Sequence, residues 1–237
     1  MDIKAPSSHR QNLLLASLSD SDFALLQSGL IQTELKQGVF LHDINDDIET
    51  VYFPHTGMVS LLAVMEDGTA IEVGTTGRRG VVGAMTGIGY SRASTRAVSQ
   101  LSGKGSKISA KKFEIAVRAS PSLRELIIRH KESLLIQAQS SAACNSLHKV
   151  ETRLCRWILQ SRDHIESDEV NLTQEFLAEM LGVRRTTVTL VAQSLQKAGL
   201  IRYKRGQITI VDRVGLEKKS CECYRTIRNR IAELFNT

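Results

Sequence analysis

The residues best suited to chemistry lie in one run, Leu172–Val211: LTQEFLAEMLGVRRTTVTLVAQSLQKAGLIRYKRGQITIV. The chemistry they suit is recognition rather than bond-making. A helix seated in the major groove of duplex DNA offers its first turns to the base edges. Arg185 stands there in the sequence, able to grip guanine O6 and N7 through two parallel hydrogen bonds. Thr186, Thr187 and Thr189 are short enough for close approach, and their hydroxyls can bond a phosphate or a base edge. Leu190 suits a thymine methyl, or equally a place in its own core. Arg184 takes the expected N-cap, where Ser, Thr or Asp is preferred, and so reads as a phosphate clamp. Lys204 and Arg205 suit phosphate oxygens alongside. Such contacts add affinity that fades with salt and carries no sequence information.

The elements that must hold these side chains can be read around them. Thr173 can cap a short helix whose apolar face is Phe176, Leu177, Met180 and Leu181. Gly182 can supply a positive φ and turn the chain sharply. A second helix is expected from about Arg184 to Ala198, with Val188, Val191, Ala192 and Leu195 on one face and Gly199 as its stop. Leu200–Tyr203 and Gln207–Val211 read as two strands joined through Lys204, Arg205 and Gly206. The pattern is a winged helix–turn–helix. Charge supports it: the chain's net charge is +6, and residues 184–213 hold 7 Lys and Arg against 1 Asp. A basic segment of this kind on a near-neutral body is the footprint of a polyanion binder.

Upstream the periodicity changes twice. Gln11–Ala16 and Asp20–Gln27 read as short helices. Short glycine-punctuated strands follow at Gly38–His42, Thr50–Phe53, Met58–Met65, Thr69–Gly74, Thr95–Leu101 and Ser106–Ser109, with a hairpin turn at Glu66, Asp67 and Gly68. Such a series suggests a small barrel or jelly roll. Residues 110–118 read as a short helix, and Pro121 opens a helix of unusual length. Leu123, Leu126, Ile127, His130, Leu134, Ala138, Ser141 or Ala142, and Cys144 or Asn145 form its apolar stripe, read as a dimer seam. The fold class expected is α+β: a sensor-like β-barrel over 1–120, a dimerisation helix over 121–150 and a winged helix–turn–helix over 151–237.

Several function classes find no support. No Ser/His/Asp order, paired carboxylates, phosphate-binding Walker loop or metal-ligand spacing points to an enzyme. Apolar runs such as Leu61–Met65 are too short to cross a bilayer, and the first twenty residues lack the apolar core of a signal peptide. A cytoplasmic protein with reduced thiols is expected. Cys144, Cys155, Cys221 and Cys223 read as structural, because the Cys221-x-Cys223 pair lacks a second ligand arm; no metal or cofactor is expected. The glycine-rich run from Gly74 to Gly80 could cradle an anion, but reads better as tight turns between strands.

Taken with these motifs, the chain resembles the cyclic-AMP receptor protein/fumarate–nitrate regulator (Crp/Fnr) family of transcription factors, over nearly its whole length. The run LTQEFLAEMLGVRRTTVTLVAQSLQKAGLI carries the resemblance most specifically, and VETRLCRWIL resembles the first helix of that DNA-binding domain. The resemblance implies a homodimer on a palindromic promoter site in double-stranded DNA, with RNA polymerase as a further partner and a cyclic-nucleotide-binding-like sensor domain. The family's phosphate cassette has a Gly-Glu pair and, some ten residues on, Arg-Ser or Arg-Thr. Here Gly80 is followed by Val81, and Arg92 by Ala93, so the cassette is not intact. Arg92, Arg78 and Arg79 keep a small anionic effector open, its identity unknown. No cysteine precedes Cys144, which argues against an N-terminal iron–sulfur centre, and His42, His55 and His130 are available in or near the sensor as haem ligands, though a lone histidine is more often structural. The competing reading is a small-molecule binding module, for an anion or nucleotide, whose helix–turn–helix is only a scaffold.

Overall fold

The computed structural model describes residues 8–235. The first residues of the N-terminal stretch read for a signal peptide lie outside that range. The chain divides into two compact units, one made of the chain up to Val59 with Thr76–Glu132, the other of Ser60–Thr75 with the chain from Ser133 onward.

In the first unit, α1 (Leu13–Ala16) and α2 (Asp20–Gln27) precede the strands β1 (Ile31–Leu35), β2 (Phe40–His42) and β3 (Thr50–Pro54). The strands β4 (Met58–Val64) and β5 (Ala70–Thr76), most of whose residues belong to the second unit, flank the turn expected at Glu66–Gly68, where Gly68 has φ 84° and Met65 N–H bonds to Thr69 O at 2.8 Å. Later come β6 (Arg96–Leu101), β7 (Gly103–Ser109) and α3 (Ala110–Ala119). The strands form antiparallel sheets: β1 and β3 both pair with β7, and β2 pairs with β6. Val51, Phe53, Ile108, Phe113, Leu123 and Ile127 share one core with the N-terminal helices. Each such buried side chain contributes roughly 1.5–3 kcal/mol relative to exposure. Asn12, fully buried, donates to the carbonyls of Pro54 and Gly80 at 2.8 and 2.9 Å and so pins α1 to β3 and the glycine-rich loop.

The long helix α4 spans Pro121–Leu147. Pro121 costs nothing at its first position, and Ser120 Oγ accepts the Leu123 amide proton at 3.0 Å as its cap. The apolar stripe expected as a dimer seam is mostly the inward face of this helix. Leu123, Ile127, His130, Ser141 and Cys144 are buried within the chain, and Leu126, Leu134 and Ala138 half-buried. Periodicity marks which residues share a face but not which partner covers it. The outward face instead carries Ile128, Leu135 and Ala142 at seven-residue steps.

In the second unit, α5 (Val150–Ile165) is followed by β8 (Glu169–Asn171), α6 (Gln174–Leu181), α7 (Arg185–Lys197), β9 (Ile201–Lys204), β10 (Gln207–Ile210), α8 (Arg213–Lys219) and α9 (Cys223–Phe235). The strands make a small antiparallel sheet in the order β8, β10, β9. Among the described residues, no helix is long and apolar enough to cross a membrane.

Candidate nucleic-acid interface

The turn between α6 and α7 forms as its residue types dictate. Thr173 Oγ1 accepts the Phe176 amide proton at 3.3 Å and starts α6. Gly182 ends it in the left-handed region, φ 61°, its N–H returning to the last turn of the helix. A Cβ at Gly182 would also meet Ile71 Cδ1, the end of a flexible side chain, at 3.0 Å, so it is the conformation above all that calls for glycine. Buried Arg153 on α5 donates to the Leu181 carbonyl, satisfying a helix-end acceptor that would otherwise be orphaned.

Arg184 is the N-cap residue of α7 and makes no side-chain capping bond, leaving its guanidinium exposed. Val188, Ala192 and Leu195 turn inward and anchor the helix. Arg185, Thr186 and Leu190 are exposed and Thr189 half-exposed, at spacings that place them on one outward face. Leu190 is 68% exposed, which removes the core role left open for it. Thr187 is half-buried and shares its side of the helix with Val191 and Ser194, whose hydroxyl donates to Glu151 at 3.0 Å. It sits on the flank of the outward face.

Sequence reading missed two residues of this surface. Gln174, at the start of α6, accepts from Thr189 Oγ1 at 3.0 Å and Arg185 Nε at 3.5 Å. It holds both side chains over the first turns of α7. Gln193 is exposed one turn beyond Thr189 and extends the same face. Its signal was the i, i+4 step from Thr189.

Lys204 and Arg205 are exposed at the wing tip. Gln207 pairs directly with Lys204, so the connection is a two-residue turn with Arg205 at φ 51° and Gly206 at φ 80°. This is the geometry for which hairpins favour Asn-Gly, and a bulky cation there is unusual. The wing is braced by β8, a third strand that hydrophobic patterning did not reveal, and by Gln196, which accepts the Tyr203 amide proton at 2.8 Å.

The possible effector residues are differently placed. Arg79 and Arg92 are exposed and Arg78 half-buried. The glycine-rich loop is a turn, with Gly80 N–H bonded to Gly77 O at 3.0 Å, and a Cβ at Gly80 would clash with His130 at 2.5 Å. Val81 and Ala93 are buried. A nearby concave surface is lined by Asp46, Asp47 and Glu49, together with His42 and Tyr52, and is poorly suited to an anion. His130 Nε2 bonds to the Val81 carbonyl at 2.8 Å, and burial pushes its pKa down to about 4, a neutral structural histidine. His55 Nε2 meets Ser106 Oγ at 2.8 Å.

The fold also gathers three of the four cysteines. Cys144, Cys221 and Cys223 meet His148, their ligand atoms all within 4.8 Å of one another. Cys155 stays apart as a buried thiol, its pKa pushed up to about 12 by burial. Cys144 and His148 stand four residues apart, His148 just beyond the end of α4, so the cluster draws on two chain segments rather than on the Cys221-x-Cys223 pair alone.

Comparison with known proteins bears on the same region. Residues 152–219 match the model of the Crp-like helix–turn–helix domain. No curated protein matches the chain. Among solved structures, it resembles a transcriptional regulator of the Crp/Fnr family from Eubacterium rectale, at 17% identity and TM-score 0.69, over 89% of this chain and 98% of that one. It is also similar to FixK2 from Bradyrhizobium japonicum, at 14% identity and TM-score 0.69, over 81% and 98% of the two chains. A third is the c-di-GMP responsive global regulator CLP of Xanthomonas campestris, at 17% identity and TM-score 0.66, over 81% and 99%.

Proposed function

From a Crp-like helix–turn–helix domain set in a chain of Crp/Fnr-like fold, we propose that this protein regulates transcription by binding a palindromic site in double-stranded DNA as a homodimer. The observation that carries the reading is the face of α7. Arg185, Thr186, Thr189 and Leu190 project together, with Arg184 at its start and Lys204 and Arg205 on the adjoining wing. A leucine 68% exposed beside arginine and threonines is hard to account for on a scaffold, and suits a thymine methyl in a groove.

Dimerisation is assigned to the outward face of α4. Ile128 and Leu135 are 51% and 45% exposed at a seven-residue step, the spacing at which two helices pack side by side. In this arrangement 1–120 acts as a sensor, 121–150 as the dimer helix and 151–237 as the DNA-binding domain, in the cytoplasm and with RNA polymerase as a further partner. An effector would act by binding differently to two arrangements of the paired recognition helices, one of which fits half-sites about 34–36 Å apart. Buried Val81 and Ala93 replace the acceptor and hydroxyl that would hold a cyclic nucleotide. An effector held through Arg78, Arg79 or Arg92 would then be a different anion.

The test is selection of random duplex DNA by the purified protein at near-physiological salt, with and without cell extract. A two-fold symmetric consensus supports the reading. Absence of enrichment under both conditions supports the scaffold alternative instead.

A further inference from the structure

We propose that Cys144, His148, Cys221 and Cys223 form a closed, four-coordinate site for one zinc ion, fastening the C-terminal end of α4 to the turn between α8 and α9. The inference stands apart from DNA binding and rests on geometry. Zinc–sulfur bonds of about 2.3 Å and zinc–nitrogen bonds of about 2.0–2.1 Å in a tetrahedron set ligand atoms about 3.3–3.8 Å apart. Here Cys144 Sγ lies 3.5 Å from Cys221 Sγ, and Cys223 Sγ lies 3.6 Å from His148 Nδ1. All four ligand atoms fall within 4.8 Å of one another, so small side-chain shifts complete the tetrahedron. Thiolates bound to separate irons of a cluster must spread around the cluster, so this tight group favours a single ion.

The surroundings fit as well as the ligands. His148 Nε2 lies 3.2 Å from Glu222 Oε1. A proton held there for the carboxylate leaves the Nδ1 lone pair facing the sulfurs. That is the carboxylate–histidine pairing which orients imidazole ligands and raises their basicity. Glu222 stands between the two cysteines of the Cys-x-Cys arm, so one short segment supplies two ligands and the group that orients a third.

Charge is balanced too. Three thiolates, a neutral imidazole and a divalent zinc sum to one negative charge. Arg156 and Arg153, both buried on α5, are the cations whose charge acts on these sulfurs. On binding, the sulfur lone pairs fill the zinc coordination sphere, and the thiol protons pass to solvent without any change of oxidation state. Ile227 and Ile231 pack against the cysteines and limit access of water.

The experiment uses the reduced full-length protein. Metal content is measured after expression in zinc-supplemented medium, and the chelated protein is then titrated with cobalt(II). One equivalent of zinc is expected, with cobalt giving thiolate charge-transfer absorption and the visible bands of a tetrahedral ion. C223S and H148A should lose stoichiometric binding, while C155A keeps it. Glu222→Gln should weaken zinc binding about 10- to 100-fold while leaving all four ligands in place. Reduced wild-type protein that is folded by circular dichroism and takes up no zinc overturns the proposal. So does iron with acid-labile sulfide in place of zinc, or cobalt bands that persist in the C221S/C223S double variant.

Discussion

Trp157 donates its indole N–H to Glu72 Oε1 across 2.9 Å, and Ser60 Oγ donates to the other carboxylate oxygen at 2.6 Å. Both Trp157 and Glu72 are buried, at 1% and 8% exposure. This contact ties α5, the helix at which the Crp-like helix–turn–helix match begins, to strand β5 within the same unit. Arg156 adds a favourable charge, but burial dominates and pushes the Glu72 pKa up to about 7.

That shift makes stability depend on pH. The folded state keeps the Glu72 proton that the unfolded state releases above its ordinary value of 4.5. The contribution is therefore complete below about 4.5, declines as pH rises toward about 7 and is flat beyond, a span of up to about 3 kcal/mol. His130 and His164, both held neutral with values near 4, pull the opposite way, so the difference between variants is the diagnostic quantity. Urea unfolding of wild type and Glu72→Gln should show wild type losing ground to the variant as pH rises across this window. A constant difference would mean that Glu72 is ionised throughout.

Substituting the two kinds of cation should separate reading from gripping. Arg185→Ala is expected to cost about 1–3 kcal/mol on the selected site and to relax preference at one base pair in each half-site. Lys204→Ala should weaken binding to all sequences alike and lower the slope of log affinity against log salt by about one per half-site. Fluorescence anisotropy across a salt series, on the consensus and on single-base variants, distinguishes them.

Arg205 stands at a turn position that costs stability. A non-glycine residue at φ 51° is strained, and Asn tolerates that region better than Arg. Arg205→Asn should stabilise the domain by up to about 1 kcal/mol while weakening DNA binding. A lower melting temperature would show that the Arg205 side chain contributes more to the fold than its turn costs.

The outward face of α4 gives the test of dimerisation. Ile128→Glu combined with Leu135→Glu places charge where the two helices would meet, without touching Leu123 or Ile127 in the core. Sedimentation should show monomer, with operator affinity reduced and circular dichroism unchanged. A variant that remains dimeric moves the interface elsewhere.

The recognition unit was legible in the sequence because each of its parts has a local cause. Thr173 acts through a hydroxyl that caps the helix it begins, Gly182 and Gly199 act through their own backbone, and Val188, Ala192 and Leu195 announce an inward face by spacing alone. Other features depend on chain segments far apart in sequence. β8 is three residues long and forms only because β10 accepts it. The Cys144 and Cys221 sulfurs meet across 77 positions, and no spacing rule spans that distance. The stripe on α4 was visible as a stripe, but the choice between its own chain and a second copy is made by long-range packing.

The brace on the wing has a consequence for how such a protein changes its targets. β10 is held on one side by β8 and on the other by β9, while Gln196 joins β9 to α7. In the proposed role, phosphate grip and base-reading face are therefore cut on a single braced die. The letters on that die, at Arg185, Thr186, Thr189, Leu190 and Gln193, are exposed or nearly so and carry little of the fold. If they read bases as proposed, they can be recut one at a time, giving a regulator with a new vocabulary and an unaltered stance on the duplex.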